Sequence, residues 1–242
     1  MKTFLYRIIH NLTANKYLRE TEFWKNEINK YLEWYNGQME SHYETPSPKD
    51  EEKVKCKILE HSAIMTWFNL HQKHKYAVDL KLPCDTFSGK KILDVGSGPM
   101  PSAEVFNDCE LYCLDPLLPN YIVAGYPLHY YKKNTRFVYS YSEATPFCDD
   151  FFDAIISMNA LDHVDDIYKT AYEIERILKP QGMVRFHVHY HKPSATEPIE
   201  LNDRIMLEAF KWCKNFNKIC QTTAKVGSEA GIGESYVLWS NF

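Results

Sequence analysis

The segment 91–101, Lys-Ile-Leu-Asp-Val-Gly-Ser-Gly-Pro-Met-Pro, constrains the fold of this chain more than any other. An apolar run that contains Asp94 predicts a buried strand, and Gly96 and Gly98 predict a tight turn directly after it. Glycine lacks a Cβ, so the backbone there can turn sharply and approach a ligand closely. A helix is predicted over about 101–107, and its first N–H groups and dipole would face that ligand. The carboxylate of Asp94 favours a ligand that carries an ammonium group.

A second acidic residue strengthens this prediction. Asp115 closes the apolar run 111–114, at the distance from the turn where nucleoside-binding α/β folds place a carboxylate on the ribose hydroxyls. The alternative is a polar strand cap before Pro116. The dinucleotide pattern G-x-G-x-x-G is incomplete, because Pro101 occupies the third glycine position.

From residue 89 onward the sequence alternates between strand and helix patterns, which is typical of a parallel sheet with crossover helices. The tail predicts a closing antiparallel pair, with a glycine-rich turn at 227–233. The predicted strands cover about 91–95, 111–115, 136–140, 153–158, 183–190, 219–226 and 236–239, and the helices about 101–107, 166–178 and 201–214.

The first 82 residues read as a separate helical block. Apolar residues at helical spacing predict one helix that ends near Gly37 and a second over 51–75, with a loop over 44–50 between them. Either this block is an appendage packed on the sheet, or it is a lid over the reaction site. We therefore divide the chain into a cap or lid, 1–82, and a sheet domain, 83–242.

Composition excludes several classes of protein. The net charge is −4 and the pI about 6.2, with no long basic run, which argues against nucleic acid as a partner. Seven cysteines without a C-x-x-C pair favour free thiols in a reducing cytoplasm and argue against a thiolate zinc site. Residues 1–12 are too short and too polar for a signal peptide or a transmembrane segment.

Three further segments, 143–147, 152–164 and 175–182, follow the glycine turn in a familiar order. With 91–101 they resemble the class I S-adenosylmethionine-dependent methyltransferases, and among these the small-molecule type. The resemblance covers about 87–193. It implies a Rossmann-like, doubly wound, mostly parallel seven-stranded sheet with a C-terminal antiparallel hairpin, and S-adenosylmethionine as the cofactor.

The resemblance also assigns roles to residues that follow the strands. Asp115 would bind the ribose, and Pro116 and Leu117 would flank the adenine. Many relatives carry an Asp where this chain has Tyr141, so adenine recognition shifts to Glu143 or to main chain near Ser142. The cofactor-binding candidates are Asp94, Gly96, Ser97, Gly98, Asp115, Pro116, Leu117, Ser142, Glu143 and Asn159.

His163 is the candidate general base, because an imidazole titrates near neutrality, and Asp162 is the candidate that orients it. The alternative for His163 is a packed histidine at a helix start. His187, His189 and His191 share one strand face but are too widely spaced for one ion to bind all three comfortably. We predict no metal and place the substrate at His189, His191 and Glu197.

The predicted function is methyl transfer to a small polar acceptor, foremost a hydroxyl of a sugar or glycan precursor in polysaccharide biosynthesis. No N-P-P-Y-like turn follows Asn159, which argues against nucleic-acid bases as substrates. The alternatives are a metabolite or natural-product N-methyltransferase, a non-catalytic cofactor-binding partner protein, and a nicotinamide-dependent oxidoreductase. The sequence is compatible with a homodimer.

Overall fold

The computed structural model of the protein describes residues 2–40 and 52–242, with side chains for 16–38 and 59–242. The predicted loop at 44–50 lies outside the described residues. None of the helices in the described part of the chain has the length and apolar character needed to span a bilayer.

A seven-stranded sheet forms the centre of the structure, in the order β3-β2-β1-β4-β5-β9-β6. The first five strands of the chain pair in parallel, and β9 runs antiparallel to both β5 and β6. The predicted doubly wound sheet with a C-terminal antiparallel hairpin is therefore confirmed. The strands of this sheet are β1 (Lys91–Val95), β2 (Glu110–Leu114), β3 (Thr135–Val138), β4 (Phe152–Met158), β5 (Leu178–Tyr190), β6 (Asn217–Thr222) and β9 (Ser235–Ser240). Two short strands, β7 (Ala224–Lys225) and β8 (Ser228–Glu229), pair with each other as a separate ribbon.

The order of strands creates the place for a ligand. The chain leaves β1 toward β2 on one side and later returns to β4 on the other, so the strand order reverses at β1. At such a point the loops diverge and leave a crevice at the carboxyl ends of the strands. The sequence segments that follow β1, β2 and β4 therefore meet at one edge of the sheet.

Helices flank the sheet, and the first helix of the chain also lies along the crevice. They are α1 (Lys2–Glu40), α2 (Glu52–Trp67), α3 (Lys75–Asp79), α4 (Leu118–Ala124), α5 (Ile167–Ile177) and α6 (Asp203–Ala209). Asp166 caps α5, since its side chain accepts from Tyr168 N and Lys169 N. The apolar face of α5 packs Ile174 and Ile177 into the main core. Each such buried side chain stabilises the fold by roughly 1.5–3 kcal/mol.

A separate core joins the N-terminal helices to the sheet domain. Ile28 and Tyr31 of α1, Ile64 of α2 and Tyr121 of α4 are all buried in it. This packing fixes α1 against the segment that follows β2. The N-terminal block therefore lies directly beside the crevice.

Three helix predictions need correction. The first helix continues past Gly37, because an internal glycine costs only about 1 kcal/mol. The predicted helix 51–75 is divided by a wider turn, Phe68–Gln72. Instead of a helix at 101–107 there is one 3₁₀ turn, Ser102–Val105, and the chain is extended again at Phe106. The expected helix dipole behind the glycine turn is absent there.

Candidate active site

A cavity of about 330 Å³ opens at the crevice where β1, β2 and β4 end. Cofactor-sized ligands occupy pockets of about this size and larger. Two other regions complete its wall: the part of α1 from Lys16 to Trp24, and the chain around α3 together with the ribbon that β7 and β8 form. Among its lining residues are Lys16, Tyr17, Glu20, Trp24, Lys75, Tyr76, Asp79, Gly96, Ser97, Gly98, Asp115, Pro116, Leu117, Ser142, Glu143, Asn159, His163, Lys225 and Ser228.

The glycine turn lines the cavity, but its amides are committed to the protein. The N–H groups of Gly96 and Ser97 both donate to the carbonyl oxygen of Leu114, and Gly98 N–H donates to Asp115. Both glycines have positive φ, 72° and 64°. A Cβ on Gly96 would lie 2.2 Å from the Cβ of Ala160. The glycines therefore permit a close approach between the turn and the end of β4.

Asp115 holds the neighbouring loop in shape while facing the cavity. Its Oδ2 accepts from Gly98 N at 3.0 Å and its Oδ1 accepts from Leu117 N at 2.8 Å. Burial raises the pKa of this carboxyl to about 6, with Glu20 of α1 contributing in the same direction. Each carboxylate oxygen keeps a second lone pair, so Asp115 can also accept from ligand hydroxyls.

Asp94 departs from the predicted role, because it lies beneath the turn and not on the cavity wall. Its Oδ1 accepts from the hydroxyl of Tyr76 at 3.2 Å, and its Oδ2 has no hydrogen-bond partner among the described residues. Burial raises the pKa of Asp94 to about 8. From behind the wall, the carboxyl group of Asp94 therefore holds the hydroxyl of Tyr76, a residue that lines the cavity.

Asn159 lines the cavity with its orientation fixed from behind. Its backbone is left-handed (φ 49°), and its N–H donates to the carbonyl oxygen of His187 at 2.7 Å. Burial lowers the pKa of His187 to about 4, so this ring is neutral and its Nδ1–H can donate to Asn159 Oδ1 at 2.8 Å. The amide NH₂ of Asn159 is then the group left to face a ligand.

Ser142 and Glu143 lie on the same wall and also tie loops together. Ser142 Oγ is 3.0 Å from Thr170 Oγ1. Glu143 Oε1 accepts from the backbone N–H groups of Asp165 and Asp166. These bonds join the loop after β3 to the start of α5.

His163 faces the cavity between two carboxylates. Its Nδ1 is 3.2 Å from Glu20 Oε2, and its Nε2 is 3.6 Å from Glu197 Oε1. Burial alone would lower its pKa, but these carboxylates and Asp162 raise it to about 8. Lys16, only 4% exposed, donates to the carbonyl oxygen of His163 and to Asp165 Oδ1. Helix α1 is thus joined to the His163 loop through polar contacts of both Lys16 and Glu20.

Two lysines face the opposite end of the cavity. Burial lowers the pKa of both Lys75 and Lys225, and Lys75 lowers that of Lys225 further. Neither ammonium group makes a hydrogen bond or ion pair among the described side chains, although Lys225 lies 4.8 Å from the ring centroid of Tyr236. The nearby Asp79 accepts from Val226 N. This end of the cavity is therefore suited to an anionic group.

The remaining predicted site residues lie behind the wall. Asp162, His189, His191 and Glu197 do not line the cavity. The prediction that His189 or His191 reaches the substrate pocket therefore needs correction: β5 carries these rings toward Asp162 and the 193–202 loop. Asp162 is fully buried and contacts His191 Nε2 at 3.1 Å, so it lies beside His163 in sequence without orienting its ring.

Sequence reasoning did not find the cavity residues supplied from outside the strand ends. Lys16, Glu20 and Trp24 come from α1, far before the first strand, which begins at Lys91. The apolar residues at helical spacing that predict this helix include Trp24 and were the available signal. Lys225 lies in the predicted strand 219–226 and Ser228 in the predicted turn 227–233, and no sequence pattern marks either residue as a ligand contact.

The comparisons with known proteins agree with this geometry. A family model described as a methyltransferase domain matches residues 93–186, which include β1, β2, β4 and α5. An uncharacterised methyltransferase of Bacillus subtilis, YcgJ, is 29% identical over 103 residues. The aligned part is 41% of this chain and 41% of that relative, so the chain spans less than half of the relative's length.

Solved structures share the fold at low sequence identity. The superposition on the crystal structure of YcgJ covers 61% of this chain and 71% of the YcgJ chain, with 22% identity and a TM-score of 0.53. A second solved structure is phosphoethanolamine N-methyltransferase 2 of Haemonchus contortus in complex with S-adenosyl-L-methionine. That superposition covers 73% of this chain and 47% of the other, with 15% identity and a TM-score of 0.53. The chain is therefore similar to methyltransferases in sequence over 93–186, and its sheet has the fold of the class I S-adenosylmethionine-dependent methyltransferases.

Proposed function

We propose that this protein binds S-adenosylmethionine in the cavity and transfers its methyl group to a small polar acceptor. The observation that carries the proposal is Asp115, whose carboxylate faces the cavity while Gly98 N–H and Leu117 N–H hold it in place. A fixed acceptor pair beside a glycine turn suits the two hydroxyls of a ribose.

The other cofactor contacts follow from position around Asp115. Pro116 and Leu117 offer an apolar surface to the adenine ring. The polar edge of the adenine would meet the backbone near Ser142 and the carboxylate of Glu143. At the other end, Asn159 offers an amide donor. These assignments divide the cavity into an adenosine end and a methionine end.

Lys75 and Lys225 are proposed to bind the α-carboxylate of the cofactor. Both ammonium groups face the cavity near Tyr76, and burial without a partner is costly for a cation. An anionic ligand group would remove that cost. Loss of either lysine should then weaken the binding of cofactor and demethylated product alike.

The acceptor is proposed to enter beside His163, between α1 and the His163 loop. S-adenosylmethionine supplies an activated methyl group when bound, so the protein needs mainly to align an acceptor and exclude water. The ring of His163 is neutral above its pKa of about 8, and with Nδ1–H donating to Glu20 it leaves Nε2 able to accept from a hydroxyl. A hydroxyl of a sugar or glycan precursor fits this polar surrounding.

Helix α1 is proposed to act as the lid of the reaction site. Lys16, Tyr17, Glu20 and Trp24 all lie on its cavity side. Closure over the ligand would shield the transfer from water. A cytoplasmic location, where the cofactor is made, suits the six described cysteines, all of which are free.

The direct test is product formation. The purified protein is incubated with S-adenosylmethionine and a panel of sugars, sugar phosphates and amines, and S-adenosylhomocysteine and methylated products are measured by mass spectrometry. The proposal expects a methyl ether from one hydroxyl acceptor and a loss of kcat in His163→Gln with nearly unchanged cofactor affinity. A methylated amine formed equally by wild type and His163→Gln would indicate an N-methyltransferase. Binding without turnover on any acceptor would indicate a non-catalytic partner protein.

A further inference from the structure

Four side chains behind the cavity wall form a compact group of metal donors. Asp162, His189, His191 and Glu197 each place one donor atom within 4.8 Å of the others. Asp162 and His191 are buried, and the other two are partly buried. The sequence predicted no metal ligands because three strand histidines cannot share an ion. Here only two histidines converge, and the loops supply the carboxylates.

The hydrogen bonds of His191 leave one of its nitrogens facing a carboxylate. Its Nδ1 is 2.7 Å from the carbonyl oxygen of Lys192, which can only accept, so Nδ1 carries a proton. Its Nε2 is 3.1 Å from Asp162 Oδ2. A proton on Nε2 would make this contact a hydrogen bond, whereas without that proton Nε2 and Asp162 Oδ2 both offer a lone pair and can bind the same cation. Metal-binding histidines usually have this arrangement, with the second nitrogen donating to a carbonyl.

Asp162 gives an independent indication of a missing ligand. The residue has no exposed surface, and its Oδ1 has no hydrogen-bond partner among the described residues. A buried, unpaired carboxylate oxygen is costly. A bound ion would satisfy it, and two carboxylates would balance the charge of a divalent ion.

We propose that Asp162, His189, His191 and Glu197 bind one divalent transition-metal ion of the Zn²⁺ class. Two imidazoles and two carboxylates match the ligands of zinc, whereas Mg²⁺ and Ca²⁺ prefer oxygen alone. The ion would link the ends of β4 and β5 to the loop that carries Glu197. Because Glu197 also contacts His163, the ion would fix one side of the acceptor end of the cavity.

The test measures metal binding directly, without reference to methyl transfer. Protein treated with a chelator is titrated with Zn²⁺ by calorimetry and with Co²⁺ by visible absorption, which reports the coordination geometry. His189→Ala and Glu197→Gln are compared with His129→Ala, an exposed histidine outside the group. Circular dichroism establishes that each variant is folded, and Glu197→Gln decides the outcome if His189→Ala is not.

The proposal expects one ion per wild-type chain, with the Co²⁺ spectrum of a nitrogen and oxygen site. Loss of a ligand should weaken binding by more than the roughly 10–100-fold that removal of an outer-shell partner costs. His129→Ala should bind as wild type does. Absence of stoichiometric binding to the wild-type chain would overturn the proposal, as would equal affinity in Glu197→Gln and wild type.

Discussion

Gly96→Ala separates a general cost of backbone strain from a specific cost at the cofactor site. Gly96 has φ 72°, and a Cβ there would lie 2.2 Å from Ala160 Cβ. Gly89 has φ 73° but no atom within 4 Å of the same position. The two substitutions therefore share the strain and differ only in the contact, which makes Gly89→Ala a matched control.

The magnitude follows from these two terms. A non-glycine residue in the left-handed region costs about 1–2 kcal/mol, which both variants should lose in unfolding free energy. Carbon atoms pack at about 3.5–4.0 Å, so the turn in Gly96→Ala must move away from Ala160 by over 1 Å. Overpacking of this kind adds about 1–3 kcal/mol. If binding must reverse that movement, cofactor affinity falls by about 5- to 150-fold.

The assays are urea denaturation for stability and calorimetric titration with S-adenosylmethionine for affinity. Gly89→Ala should lose stability and keep cofactor affinity, whereas Gly96→Ala should lose both. The loss of cofactor affinity in Gly98→Ala should lie between those of the other two variants, because its Cβ would meet the Trp24 ring at an ordinary 3.5 Å. Equal cofactor affinity in Gly96→Ala and Gly89→Ala would refute the reasoning that the turn must lie this close to β4.

Two further predictions concern the lid and the ribose carboxylate. Lys16→Met removes the contacts of Lys16 with Asp165 and with the carbonyl oxygen of His163, and we expect faster cofactor release in stopped-flow measurements and about 1–2 kcal/mol lower stability. Lys30→Met, which removes an exposed ion pair within α1, is the control, and equal release rates in both variants would count against the lid. The pKa of Asp115 is about 6, so the ionised carboxylate that accepts from ribose prevails above pH 6, and affinity should fall up to tenfold per pH unit below it. Because Glu20 raises that pKa, Glu20→Gln should move the midpoint of the calorimetric pH profile to lower pH, and an unmoved midpoint would place α1 away from Asp115.

The sequence was sufficient for the parts of the site that depend on local pattern. A buried strand followed by glycines, and an acidic residue at the end of the next strand, predicted where the turn and Asp115 lie. Parallel strands bring their carboxyl ends to one edge, so Asn159 and His163 were also expected there, and both line the cavity. Each of these predictions needed only the position of a residue relative to its own strand.

The parts that failed depend on tertiary packing. Asp94 lies near the end of β1 and was expected at the cavity for that reason. Its carboxyl group instead accepts from the hydroxyl of Tyr76 in α3, beneath the cavity wall. Strand alternation placed His189 and His191 on one face but could not show that Asp162 meets them there. Lys16 and Glu20 reach the cavity through the packing of α1, which no local pattern records.

The measurement that tests the central claim most directly is calorimetric binding of S-adenosylmethionine to wild type and to Asp115→Ala at pH 7.5. We expect one cofactor per wild-type chain and at least about tenfold weaker binding in the variant, which corresponds to about 1.4 kcal/mol. Wild-type affinity in Asp115→Ala, or no binding by the wild-type chain, would contradict the assignment of this cavity.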